Sequence, residues 1–174
     1  MLYYRHQIYT LVRRGNKIKL EQKNNLKIYE EYDIYVMRDG EVVKHDKVKN
    51  AIMNTGLNHI CELLAGTVTG GYTYHAIGTS TVAVSSTQSA LVAEGYRQPF
   101  SKKERSSTGE LKSYSYINPD DGNIAIEEIA VFAGASATTA ANSGAMVSRA
   151  LWSHTKTSSE SIYFVRTDTI SAST

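Results

Sequence analysis

His59, Cys61 and Glu62 lie within the tetrapeptide HICE, the stretch of this 174-residue chain with the most evident chemical potential. On a helix His59 and Glu62 are neighbours three residues apart, with a thiol beside them. A metal centre needs a third and fourth ligand, and His6, His45, His75 and His154 show no ligand spacing. Cys61 falls on an apolar stripe, which predicts a buried, inert thiol. Glu127 and Glu128 form a carboxylate pair only on paper. Adjacent strand residues point to opposite faces, so they cannot act on one substrate, and one is expected to be buried against Arg149 or Arg166. PDDGN (119–123) lacks the spacing and closing Glu of a calcium loop and reads as a β-turn. AGTVTGG and HAIGTSTVAVSST lack the GK[ST] ending that serves phosphates and magnesium. No G-x-S-x-G, H-E-x-x-H or dinucleotide fingerprint occurs. The expectation is a protein without catalytic residues, cofactor or metal ligands. A cell-wall hydrolase with a dispersed site would need two converging carboxylates, and none are placed together.

The composition suits one ordinary globular domain: 41% hydrophobic, 21% charged. A net charge of +2 disfavours nucleic acid as the main partner, and one cysteine excludes a disulfide framework. The N-terminus carries charges where a signal peptide needs an apolar core, and no stretch is long enough to span a membrane. The expectation is a soluble protein made and used without export. Tyr is abundant, with 12 copies against 3 Phe and 1 Trp. Its apolar ring and hydrogen-bonding tip suit half-buried strands and interfaces.

Residues 1–47 read as strands joined by turns at Arg14-Gly15-Asn16 and Arg38-Asp39-Gly40-Glu41, with an irregularity near Glu30-Glu31. Residues 1–29 hold seven Lys/Arg against one Glu. This predicts a docking arm in which Arg5, Tyr9, Arg13, Arg14, Lys17 and Lys19 meet an acidic protein neighbour, or simply the solvated face of a hairpin. Residues 48–65 predict the helix, with Met53, Leu57, Ile60, Cys61 and Leu64 as its buried stripe and Gly66 as its stop. Gly56 weakens it, which points to close packing or a late start. From Thr67 onward the chain is rich in strands: YTYHAIG, GELKSYSYI, NIAIEEIAVFAG, AMVSRALWS and SIYFVRTDTIS, with SALVAEGYR as a short helical turn. The fold class is mainly β: an antiparallel sandwich or jelly-roll-like domain (48–174) with one amphipathic helix packed on it and an N-terminal β-hairpin appendage (1–47).

Ala133–Ser143 is almost purely Ala, Ser, Thr and Gly. Small side chains let backbones approach closely and lose little entropy on docking. Ala135, Ser136, Thr138, Thr139 and Asn142 are therefore expected in a contact loop whose deletion over 135–142 leaves the fold intact, and Trp152 is a core or interface anchor.

Four segments in order resemble small structural proteins of tailed bacteriophages. NAIMNTGLNHICELLAG is similar to that family's N-x-G-L-x-x-I-x-x-L-L helix. YTYHAIGTSTVAVSSTQSALVAEGYR resembles its A-I-G-T-G…T-x-L-x-x-E-x-x-R segment. IAIEEIAVFAGA resembles an I-x-E-[IV]-[GA]-[LV]-F strand, and GAMVSRALWSHTKTSSESIYFVRTDTIS a closing hairpin. Ser80 and Ala130 stand where the pattern has glycines, and residues 1–47 have no counterpart. The resemblance implies a non-enzymatic virion component, assembled in the host cytoplasm and present as a homo-oligomer docked on tail, baseplate or neck proteins. Two alternatives remain at this point. One is a capsid decoration or head-fibre protein. The other is a receptor- or carbohydrate-binding module using Trp152, Tyr72, Tyr74, Tyr114 and Tyr116.

Overall fold

The computed structural model describes residues 10–14, 17–21 and 26–172, with side chains from Lys27 onward. A separate antiparallel hairpin, β1 (Thr10–Arg14) and β2 (Lys17–Glu21), precedes the main body. Two five-stranded antiparallel sheets form that body. Sheet I has the order β5 (Ala51–Ile52), β11 (Ala145–Thr155), β10 (Ala125–Ala133), β6 (Tyr72–Gly78), β7 (Glu94–Pro99). Sheet II has the order β4 (Glu41–Lys49), β3 (Leu26–Arg38), β12 (Ser161–Ala172), β9 (Glu110–Ile117), β8 (Lys102–Ser107). The expected mainly-β sandwich is the architecture observed.

Alternation along the strands explains the layers. Tyr32, Ile34, Val36, Ile117, Ile162 and Phe164 of sheet II meet Ile77, Ile129, Val131 and Trp152 of sheet I in the central core. The other face of sheet I is apolar too: Ala76, Ala130, Phe132 and Met146 sit beneath Met53, Leu91 and Ala137. A third layer, made of helix α1 (Asn54–Ala65) and the loops 79–93 and 134–144, covers that face.

The appendage boundary expected at residue 47 falls elsewhere. β3 pairs with β12 over its whole length and supplies core residues, so 26–49 belong to the sandwich. The turn at Asp39-Gly40 is as expected, with both residues at positive φ (51° and 83°) in a two-residue hairpin loop. Glu30 breaks the apolar alternation without breaking the strand. It points inward and is buried, and the bulge lies instead at Val43, where Lys44 and Val42 pair with the consecutive Val36 and Met37. SALVAEGYR holds a turn and then β7 instead of a helical turn, because its Tyr96 and Arg97 pair with Ile77 and Ala76.

The helix starts later than residue 48. Val48 and Lys49 pair with β3, and Ala51 and Ile52 pair with β11, so sheet pairing claims those residues first. A bulge in β11 leaves the Val147 carbonyl to accept the Met53 N–H at 2.9 Å, and Thr55 Oγ1 donates to Met146 O at 2.6 Å. Gly56 lies flat against this bulge: a Cβ there would stand 2.4 Å from Val147 O. Close contact on the glycine face keeps Met53 buried and Ile60 half-buried but turns Leu57, Cys61 and Leu64 of the expected stripe outward. Gly56 and His59 are the buried helix residues, whereas Leu57 and Leu64 are 44% and 85% exposed and Cys61 is exposed. The expectation of a buried thiol on a buried stripe is therefore overturned. Gly66, at φ 70°, ends the helix as expected.

Gly56→Ala should lower stability by about 2–3 kcal/mol, because the clash is with backbone that cannot give. Gly66→Ala has open space and only the left-handed φ against it, about 1 kcal/mol. Urea unfolding of both variants checks the ranking.

Candidate functional site: the pinned loops and the outer face of sheet II

The residues with chemical potential are used internally. His59 is buried and its Nε2 donates to the Gly70 carbonyl at 2.8 Å. Cys61 and Glu62 are exposed beside it, and no three His, Cys, Asp or Glu among the described residues are grouped to hold a metal. PDDGN is a turn, closed by Asn118 Nδ2 donating to Asp121 at 3.0 Å. Glu127 and Glu128 face opposite ways as expected, Glu127 towards Ser153 and Glu128 into a fully buried ion pair with Arg149 at 2.7 Å.

Three buried arginines organise the interior. Arg149 Nη1 and Nη2 donate to Gln88 Oε1 and the Val82 carbonyl, while Glu128 accepts the Val92 and Ala93 N–H groups. This pair clasps the loop 79–93 onto sheet I. Arg97 pairs with Glu94 at 2.5 Å, lies over the Phe132 ring at 4.4 Å, and donates to the carbonyls of Thr138 and Ser143. It clasps the loop 134–144. Arg166 sits between the two sheets, paired with Glu30 at 2.5 Å and Asp168 at 2.6 Å, bonded to Ser148 and stacked on Tyr72. Burial raises Glu30 to about 7. Arg166 opposes the shift, while the charge of Asp168 and a hydrogen bond with it add to it. Nearby, complete burial lowers His75 to about 3, so its ring stays neutral against Phe164 and Ser115.

The small-residue loop is thus less free than expected. Ala135, Ser136, Thr138 and Thr139 are exposed, but the Ala135 N–H is bonded to Thr69 O, and the Thr138 N–H and carbonyl to Ser143 and Arg97. Asn142 is an internal fastener, bonding Leu91 N and O through its amide, with its own N–H on Glu94. Ala137 is buried, and Gly144 has room for no Cβ against it. Removing 135–142 would strip the cover from Arg97 and Phe132, which contradicts the expectation of an intact fold. Trp152 is a core residue, not a surface anchor: it is buried edge-on to Phe164 and donates to Asp46 at 2.8 Å. Arg13, Arg14, Lys17 and Lys19 lie on β1 and β2, whereas Arg5, Tyr9 and the Gly15-Asn16 turn lie outside the described residues.

Sequence reasoning named Tyr114 and Tyr116 but missed the row they join on the outer face of sheet II. Tyr116, Tyr163, Tyr35 and His45 stand directly opposite one another across β9, β12, β3 and β4. Ring centroids are 6.5 Å apart for Tyr116–Tyr163 and for Tyr163–Tyr35, and Tyr35–His45 stack at 4.4 Å, 2° from parallel. Tyr114 stacks on Tyr163 at 6.1 Å and bonds Glu104. Next to this row a cleft of about 510 Å³ is flanked by Glu31, Asp33, Lys47, Lys49, Glu110 and Lys112, with neither charge sign prevailing. The signal for the row was present, since outward positions of four strands carry aromatics, but without the register the tyrosines could not be aligned.

No protein-family model, curated protein or solved structure matches this chain. Chemically, the arrangement offers hydroxyl-tipped rings and paired charges on one flat face. Tyr72 and Tyr74, considered above for a sugar platform, are half-buried on sheet I. Tyr35 and His45 stack on each other, which covers one face of each ring.

Arg97→Leu should destabilise by about 3–5 kcal/mol, since it leaves Glu94 buried and unpaired. Its amide hydrogen exchange should rise mainly in 134–144, whereas Arg149→Leu should raise exchange in 79–93. Glu30 supplies a pH test. Its folded value lies above the unfolded 4.5, so its contribution is full below that value and is lost as pH rises through about 7. Glu30→Gln should remove this loss, narrowing the difference in urea midpoint between pH 5 and pH 8.

Proposed function

We propose that this chain is a non-enzymatic structural component of a tailed-bacteriophage particle, present in several copies and held on the tail, baseplate or neck by its surfaces. The observation that carries the reading is the division of labour among its polar groups. The buried ionisable residues Glu94, Arg97, Glu128, Arg149, Glu30 and Arg166 are consumed in fastening layers and loops. The groups left outward are the Tyr116–Tyr163–Tyr35 row and the exposed Ala135, Ser136, Thr138 and Thr139. Tyrosine brings large contact area with few rotors to freeze, and small residues let a neighbouring backbone come close. The ordered resemblance of residues 48–171 to phage virion proteins supports the same reading, including the helix and the strand that here carries Glu128. Capsid decoration uses the same kinds of surface and differs in copy number, hundreds on a head against roughly three to twelve at a tail tip or neck.

The chain should co-purify with the particles of the phage that encodes it. A Tyr35→Ser/Tyr163→Ser variant should lose about 1–2 kcal/mol with its cross-strand aromatic pairs and stay folded, yet enter particles at least about tenfold less well than the parent, because hot-spot aromatics dominate interface energy. Quantitative mass spectrometry of purified particles reads both. Finding the chain only in the soluble fraction, or normal incorporation of the double variant, would refute the proposal.

A further inference from the structure

β4 is an open edge. It closes sheet II on one side, pairs only with β3, and no other described strand lies along its outer side. Most of its residues are exposed, including Val42 and Val43 at 54% and 51%. Edges of this length are normally blunted, because their free N–H and C=O groups recruit other strands. The aromatic row also stops here: His45 stacks on Tyr35 on one side, with the strand edge beyond it.

His45 is the midpoint of Glu41–Lys49. Lys44 and Asp46 flank it and contact each other at 2.8 Å, with Asp46 also accepting from Trp152 Nε1 and Lys44 lying over the Trp152 ring. When the strand is laid antiparallel against a copy of itself about a two-fold axis through His45, each Lys44 falls opposite an Asp46 of the other copy. Four charges then alternate in sign around the axis. Moving the axis by one residue either way sets Lys44 against Lys44 or Asp46 against Asp46, and both oppose like charges. The bulge at Val43 limits strict pairing to the centre, and beyond it Val42 and Val43 lie beside Lys47 of the copy. The central register also joins the two aromatic rows through His45 into one line running across eight strands.

We propose that the β4 edge is where a second copy of this chain binds, antiparallel and two-fold symmetric about His45, so that two sheets II become one. This inference does not depend on where the dimer works. An edge contact of this size belongs to the weak, reversible class of interfaces.

The test uses the full chain. Sedimentation velocity over about 1–200 µM should show mass rising from one chain to two, as expected for a weak contact, and Lys44→Glu should shift that rise at least about tenfold upward in concentration by setting Glu against Asp46. Register is read by oxidation in a Cys61→Ser background. His45→Cys faces its own copy within disulfide reach, while Lys47→Cys faces the bulge, so the first should cross-link at least about tenfold more. Near-UV circular dichroism confirms that each variant is folded. A single-chain mass at every concentration overturns the proposal, as does a dimer unaffected by Lys44→Glu or one in which Lys47→Cys cross-links as readily as His45→Cys.

Discussion

A guanidinium taken out of water must be met by carboxylates and carbonyls arranged to its own geometry, or the fold that buried it fails. Three arginines impose that constraint here, and the layers follow from it. Arg166 bridges the interface of the two sheets through Ser148, Glu30 and Asp168. Arg149 and Arg97 each pair with one carboxylate on sheet I and spend their remaining donors on loop carbonyls. Loops poor in large apolar side chains cannot hold themselves to a sheet by burial alone. Buried arginines supply what the loop residues lack, which is why long irregular segments lie ordered over the far face of sheet I.

Much of this was legible in the sequence where the information is local. The Asp39-Gly40 turn, the closing strands and the opposed faces of Glu127 and Glu128 follow from pattern alone, because each depends on residues within a few positions. The failures share a different cause. The alternation Leu26, Ile28, Tyr32 skips Glu30, and the gap looked like a flaw in the strand. It is a buried carboxylate waiting for Arg166, which lies 136 positions later by residue number. The stripe of Leu57, Cys61 and Leu64 obeyed helical periodicity but ignored the claim of Gly56 on the Val147 bulge. In the loop after β10 the small residues do serve close approach, but Ala137 and Gly144 approach the chain's own backbone.

Interior and exterior polar groups therefore follow opposite rules. Inside, each charge has a fixed partner and its surroundings tune it, as the raised Glu30 and lowered His75 illustrate. Outside, on sheet II, Tyr35, Tyr163 and Tyr116 pack on one another in a row set by strand register. The outward rings of sheet II are consequently spaced as the rungs of a β-ladder.

The pairing of β3 with β12 aligns Leu26 with Ala172 and Met37 with Ser161. The central seam of sheet II thus joins two strands far apart in the sequence. During synthesis, β3 cannot acquire this neighbour until β12 has emerged from the ribosome. Until then Glu30 has no Arg166, and Tyr32, Ile34 and Val36 have no Phe164 to cover them. Folding of this sheet therefore waits on a distant strand, and any nascent chain that still lacks β12 leaves this part of its core open to chaperones and proteases.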